Sequence, residues 1–133
     1  MGKLINLKCE KCGYETNLSI GSGIAFNNLE KVITLFDKET REQIRGVVNK
    51  SGNRLWYVYK EIRRCEKCGK ISAIAVFRSE DNTGKVTEYK TKCACGSTSL
   101  ELYDADDVIE GKVTISCPIC SDTLTVSFNG MWD

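Results

Sequence analysis

Eight cysteines are the main chemical resource of this chain. They fall in four close pairs: Cys9-Glu-Lys-Cys12, Cys65-Glu-Lys-Cys68, Cys93-Ala-Cys95 and Cys117-Pro-Ile-Cys120. Two thiolates with two residues between them can grip one face of a tetrahedral metal ion, and a second such pair closes the coordination. Four pairs therefore make two sites of four thiolates, with none left over. The chain has no histidine, so mixed Cys/His ligation is excluded. Glycine follows three of the pairs (Gly13, Gly69 and Gly96), whereas Ser121 follows the fourth. A tight turn that aims backbone N–H groups at sulfur often needs positive φ, which glycine accepts cheaply.

The alternatives to metal are buried thiols, disulfides or a redox dithiol. A thioredoxin-like motif expects its Cys-x-x-Cys at a helix N-terminus after a strand. Here every pair sits between strand-like runs. The N-terminus shows no apolar signal segment, and no stretch approaches a membrane span. The expected location is the cytoplasm, where thiols stay reduced and paired cysteines more often bind metal than each other. The expected cofactors are two Zn2+ ions with four cysteines each, iron being the less favoured metal.

The elements that must position these thiols are short. The chain has 133 residues and is 41% hydrophobic, which is too apolar for a disordered tail. Its apolar residues are scattered over short runs, so a small core needing metal staples is expected. Runs rich in Val, Ile, Thr, Tyr and Phe flank each pair: 4–8 and 14–20, 55–63 and 71–77, 86–92 and 97–103, 112–116 and 123–128. Residues 79–84 form a strong turn, and 104–111 a polar connection.

Residues 21–50 differ. After Gly21-Ser22-Gly23, the apolar positions Ile24, Leu29, Val32, Ile33 and Phe36 follow a helical period, with Asn27 or Asn28 as N-cap. Asp37 can cap a second helix through Ile44, Val47 and Val48, which Lys50-Ser-Gly-Asn53 closes. That apolar stripe reads as core packing. Gly21-Ser22-Gly23 reads as a turn, because no phosphate-binding Gly-Lys-Ser/Thr follows it.

The expected fold is thus mostly β: two zinc-ribbon units of knuckle-bearing β-hairpins, with a short α-helical insertion at about 21–50 between the first two knuckles. Which pairs share a metal stays open. Sequential sites would be Cys9/Cys12/Cys65/Cys68 and Cys93/Cys95/Cys117/Cys120. Nested sites would be Cys65/Cys68/Cys93/Cys95 and Cys9/Cys12/Cys117/Cys120. Sequential pairing is expected, because each ribbon then uses successive knuckles; it divides the chain into 1–78 and 79–133.

The knuckle-in-hairpin pattern over 4–20 and 55–128 resembles the zinc ribbon family. Cys9-Glu-Lys-Cys12-Gly13-Tyr14, followed by Gly21-Ser-Gly23, a helical insert and further knuckles, resembles small bacterial multi-knuckle zinc-ribbon proteins of unknown function. That resemblance implies organisation and no activity. Cys65-x-x-Cys68 with Cys93 is similar to the ribbon of transcript-cleavage elongation factors, whose hairpin tip presents two acids to RNA polymerase. Here the tip reads Arg78-Ser79-Glu80-Asp81-Asn82, and Asn82 stands where the second acid would be. Cys9 to Tyr14 together with Cys117-Pro118-x-Cys120 resembles rubredoxin, which implies iron and electron transfer at a nested site.

Four thiolates fill a tetrahedral zinc and leave no open position, so such sites are structural and no enzyme is expected. The acids Asp104, Asp106, Asp107 and Glu110 lack the EF-hand spacing and read as a solvated loop. Net charge is unevenly spread: +2 over 1–53, +5 over 54–96 and −6 over 97–133, which together give the chain's +1. The basic middle places Lys60, Arg63, Arg64, Lys67, Lys70, Lys90 and Lys92 near Trp56, Tyr57, Tyr59, Phe77 and Tyr89. Cations neutralise phosphate and exposed aromatics stack on bases, so this region is a candidate nucleic-acid surface. The plainer reading is aromatics in the core and lysines that solubilise a strand face. A non-catalytic adaptor for a protein or nucleic acid is the expected function, with no membrane and no small-molecule substrate.

Overall fold

A computed structural model of the chain describes residues 2–23, 27–49 and 55–132. It is mostly β, with two four-cysteine groups consistent with two ribbon-like units. The first sheet has strand order β2-β1-β7, from β1 (Gly2–Lys8), β2 (Glu15–Ile20) and β7 (Thr125–Trp132). The second has the order β5-β4-β3-β6, from β3 (Leu55–Cys65), β4 (Ile71–Glu80), β5 (Val86–Lys90) and β6 (Leu100–Tyr103). All neighbours are antiparallel.

The two sheets repeat one plan. In each, a hairpin carries a Cys-Glu-Lys-Cys-Gly knuckle at its tip, and its first strand also pairs with a strand that follows a later knuckle. The registers agree. Lys8, one residue before Cys9, faces Glu15 on one side and Thr125 on the other. Arg64, one residue before Cys65, faces Ile71 and Glu101. Thr125 and Glu101 each lie eight residues beyond the first cysteine of their knuckle, Cys117 and Cys93. One ribbon is thus built from the two ends of the chain, and the other, residues 55–103, is inserted between them. A division at 78/79 would cut through β4, so the structure replaces that boundary with a nested one.

Alternation explains the core. Ile5 and Leu7 of β1, Leu18 and Ile20 of β2, Ile62 of β3 and Ile71 of β4 are buried together with Val108, Ile115 and Leu124. They join the two sheets in one apolar cluster. A backbone bridge between Gly21 and Lys60, 2.9 Å in both directions, ties β2 to β3. Gly21 takes φ 82° there.

The insertion folds as its caps predict. Asn28 caps α1 (Leu29–Val32) by accepting from the Lys31 N–H, and a 3-10 turn, Ile33–Leu35, follows. The Asp37 carboxylate accepts from Thr40 N–H at 2.8 Å and opens α2 (Lys38–Asn49). Val32, Ile33, Phe36, Ile44 and Val47 pack on Val58, Ala75 and Phe77 of the second sheet, so the stripe is core. Ile24 and the closing Lys50-Ser-Gly-Asn53 lie outside the described residues.

Two expectations about local structure also differ from what is found. The connection at 104–111 contains a helix, α3 (Ala105–Ile109), capped by Asp104, whose carboxylate accepts from Asp107 N–H. The run 112–116 forms no named strand. Lys112 and Val113 donate back to the Asp107 carbonyl in the middle of α3, and only Ser116 bridges to Thr123.

Candidate metal centres

The fold brings the eight thiols into two groups of four: Cys9, Cys12, Cys117 and Cys120 in one, Cys65, Cys68, Cys93 and Cys95 in the other. Pairing is therefore nested, and the sequential expectation is overturned. The reason is strand order: β1 pairs with β7 and β3 with β6, which sets knuckle one against knuckle four and knuckle two against knuckle three. We call these the outer and inner centres.

Each knuckle is shaped by backbone hydrogen bonds. Cys9 N–H donates to the Tyr14 carbonyl (2.7 Å), and Gly13 N–H to the Cys9 carbonyl (3.0 Å). The same pair of bonds recurs at Cys65 with Lys70 and Gly69, and at Cys117 with Asp122 and Ser121. The shorter third knuckle repeats the scheme with one residue fewer: Cys93 N–H donates to Ser97, and Gly96 N–H to Cys93. Gly13, Gly69 and Gly96 have φ of 82°, 78° and 88°. Ser121 occupies the same conformation at φ 68°, the one non-glycine residue with positive φ among the described residues. The departure seen in sequence is thus a residue held in the left-handed region without glycine's freedom.

Across the outer centre, Cys9 Sγ lies 3.4 Å from Cys120 Sγ, and Cys12 Sγ 3.5 Å from Cys117 Sγ. Across the inner centre, Cys65 Sγ lies 3.6 Å from Cys95 Sγ, and Cys68 Sγ 3.5 Å from Cys93 Sγ. In each group all four sulfurs lie within 4.8 Å of one another. All eight thiols are free. A tetrahedral ion with metal–sulfur bonds of about 2.3 Å would have sulfur–sulfur edges of about 3.8 Å. The donor set fits that size and, with four thiols, that chemistry.

Electrostatics point the same way. The Cys68 N–H, 3.4 Å from Cys65 Sγ, leads in pulling the Cys65 thiol down to about 6. The Cys12 N–H leads in lowering Cys9 in the same way. At Cys12 the Tyr14 N–H pulls down, but burial and the sulfurs of Cys117, Cys9 and Cys120 outweigh it and push the thiol up to about 12. At Cys93 the Cys95 N–H pulls down, but burial and the inner centre's sulfurs push it up to about 11. In the outer group Cys9 and Cys117 are lowered while Cys12 and Cys120 are raised, and in the inner group Cys65 is lowered while Cys93 is raised, so thiolate charge at one sulfur is resisted at the sulfurs crowded beside it. A dication removes that conflict, and binding it releases the remaining protons. Cys9, Cys65, Cys93 and Cys117 are buried, whereas Cys12, Cys68 and Cys95 are exposed, so each centre opens to solvent on one side.

The basic residues of the middle segment do not act together. Arg63 donates to the Glu61 carboxylate at 2.7 Å and to the Leu100 carbonyl, with only 11% of its side chain exposed. Arg64 donates to Ser116 Oγ at 2.8 Å and to the Ser116 carbonyl. Lys90 pairs with Glu88 at 3.2 Å. Lys67, Lys70 and Lys92 are exposed around the inner centre. Trp56 stacks on Phe77 with centroids 6.1 Å apart and packs against the helices, so it belongs to the core. Tyr57 and Tyr59 stack on each other, 5.7 Å apart, on the opposite face of the sheet.

The acids likewise have structural tasks. Asp81 accepts from Thr83 N–H, Thr83 Oγ1 and Lys85 N–H, which closes the hairpin tip. Asp104 caps α3, and Asp106 pairs with Lys3 at 2.8 Å. The link from Arg64 to Ser116 was not foreseen, since nothing in sequence marks two residues 52 apart as neighbours.

No protein family, curated protein or solved structure matches this chain. No helix of the described residues is long and apolar enough to cross a membrane.

Proposed function

We propose that this chain is a non-catalytic zinc-binding adaptor: tandem four-cysteine ribbons that each hold one Zn2+ and present their surfaces to a protein or nucleic-acid partner in the cytoplasm. The observation that carries the reading is the convergence of four sulfurs in each centre within 4.8 Å, from knuckles far apart in sequence. Zinc is the default ion for four thiolates in tetrahedral array, and such a site has no vacant position for water or substrate. When bound, the ion supplies folding free energy and charge compensation. The chain's own residues do the rest: the knuckle N–H groups hold thiolate charge, and Lys67, Lys70 and Lys92 offset the net negative charge of a filled inner centre.

A protein partner fits the surface better than a nucleic acid. Arg63 and Arg64 are engaged within the fold and Trp56 is packed inside it, which leaves four exposed lysines, of which Lys90 pairs with Glu88, and the half-exposed Tyr57, itself stacked on Tyr59. The polymerase-directed reading is weakened in the same way, because Asp81 is consumed by its own turn. One second reading keeps support: the outer centre joins the two knuckles whose sequences resemble rubredoxin, so iron there would make the chain an electron carrier.

Elemental analysis with absorption spectroscopy separates these readings. A colourless protein with two zinc equivalents supports the adaptor. An intense visible colour with iron in the outer centre supports the carrier. Absence of any bound metal in protein purified under reducing conditions would refute both.

A further inference from the structure

The fourth knuckle is approached differently from the first two. Lys8, before Cys9, has strand neighbours on both sides, Glu15 and Thr125, and Arg64, before Cys65, has Ile71 and Glu101. Ser116, before Cys117, has one among the described residues, the bridged Thr123. The hydrogen bonds of that bridge come from its flanks: Cys117 N–H donates to the Asp122 carbonyl, and Leu124 N–H to the Ile115 carbonyl. In an antiparallel pair of this kind the backbone groups of Ser116 itself point away from Thr123. On that side the Arg64 guanidinium donates to the Ser116 carbonyl, and to Ser116 Oγ at 2.8 Å. A side chain of the inner ribbon thus stands in for a sheet neighbour.

The two centres also share their surroundings. Cys9 and Cys117 of the outer centre are buried in the same apolar cluster as Ile62 and Ile71, which belong to the strands flanking the Cys65–Cys68 knuckle. One open groove is lined by Cys65 of the inner centre, Cys117 of the outer centre, Arg64 and Ser116. Strand β3 ends at Cys65, so the ligand and the base of the Arg64 side chain are adjacent on one strand end.

We propose that the two centres are energetically coupled, and that Arg64 is the positioning residue through which a filled inner centre raises the metal affinity of the outer one. Metal at the inner centre closes the Cys65 knuckle and fixes the end of β3. That sets the guanidinium on Ser116 and orders the approach to Cys117 before the outer site fills. A knuckle already ordered loses less conformational freedom on binding, which is positive cooperativity. Linkage requires the reverse as well: a filled outer centre raises the affinity of the inner one by the same factor. The inference rests on the reading that both centres hold metal and goes beyond it by making their affinities interdependent.

Zinc titration of the full chain against a competing chelator, followed by the knuckle amides, tests it. Gly13 and Ser121 report the outer centre, Gly69 and Gly96 the inner. Disabling the inner centre by Cys93→Ser with Cys95→Ser should weaken the outer one by at least about fivefold, the lower end of ordinary coupling. Arg64→Ala in the otherwise intact chain should weaken the outer centre by about fivefold and still leave two equivalents bound at saturation. In the background without the inner centre the same substitution should have no further effect, whereas a merely structural role would give the same loss in both backgrounds. If the chain without the inner centre fails to fold, Cys12→Ser with Cys120→Ser supplies the reciprocal measurement: Arg64→Ala should weaken the inner centre only while the outer one is intact. Equal outer affinity with and without the inner centre overturns the proposal, as does an Arg64→Ala effect that is the same in both backgrounds. A chain that binds no zinc at either centre overturns it together with the reading beneath it, whereas two independent affinities overturn the coupling alone.

Discussion

The guanidinium of Arg64 grips Ser116, donating to its hydroxyl at 2.8 Å and to its backbone carbonyl. Arg64 immediately precedes Cys65, and Ser116 immediately precedes Cys117. The first ligand of the inner knuckle pair is thus one residue from a clamp whose other end is one residue from a ligand of the outer centre. Removing the clamp by Arg64→Ala should cost about 1 kcal/mol, since the bonds are charge-assisted but partly exposed. Both metal equivalents should remain. Thermal unfolding with metal analysis checks this, and a cycle with Ser116→Ala isolates the pair.

The nested pairing has a direct test. Replacing Cys93 and Cys95 together by serine should perturb amide resonances around Cys65 and Cys68 strongly and remove one metal equivalent. Resonances around Cys9 and Cys120 should shift far less. Disruption centred on Cys117 instead would restore the sequential arrangement.

Ser121 sits at φ 68° where the other knuckles use glycine. A left-handed conformation costs a side-chain-bearing residue about 1–2 kcal/mol. Ser121→Gly should therefore raise stability by about 1 kcal/mol once glycine's greater freedom in the unfolded chain is allowed for. Gly69→Ala should move the midpoint of denaturation the other way. Equal midpoints for wild type and Ser121→Gly would contradict the strain.

The Asp37 carboxyl lies below its ordinary range, chiefly because the Thr40 hydroxyl and N–H donate to it. A lowered folded value means stability that is present above the ordinary carboxylate pKa and lost as pH falls through the folded value. Amides in the first turn of α2 should therefore lose protection in that acid window in wild type. In Asp37→Asn they should not show this step. Metal release on acidification is a separate event, reported by the knuckle amides.

Much of this architecture was readable before any coordinates. The cysteine spacing marked the knuckles, and Asn28 and Asp37 marked helix starts, because capping is local chemistry. Pairing was not readable. It depends on which strand lies beside β1 and β3, and a hairpin pattern fixes only sequential neighbours. The same limit hid the Arg64–Ser116 clamp. Helix α3 was missed although its signal was present: Asp104 with Asp107 three residues on is a cap arrangement, but four acids in seven residues read as solvent-facing polarity. Trp56 looked available for stacking because alternation alone does not say which face of a sheet the helices cover.

The insertion of one ribbon into another sets an order of assembly. The inner centre joins cysteines 25 and 30 residues apart, the outer one cysteines 105 and 111 apart. Closing the longer loop in an unfolded chain costs about 1.3 kcal/mol more on a logarithmic length scale. During synthesis the gap widens into a sequence in time. The inner knuckles can meet once Cys95 has left the ribosome, while Cys9 and Cys12 must wait for Cys117 and Cys120. A folded inner ribbon would then shorten the distance the outer knuckles have to search. The early half of the chain spends that interval with two unpartnered thiols near its start, which makes prompt metal supply most consequential for the outer centre.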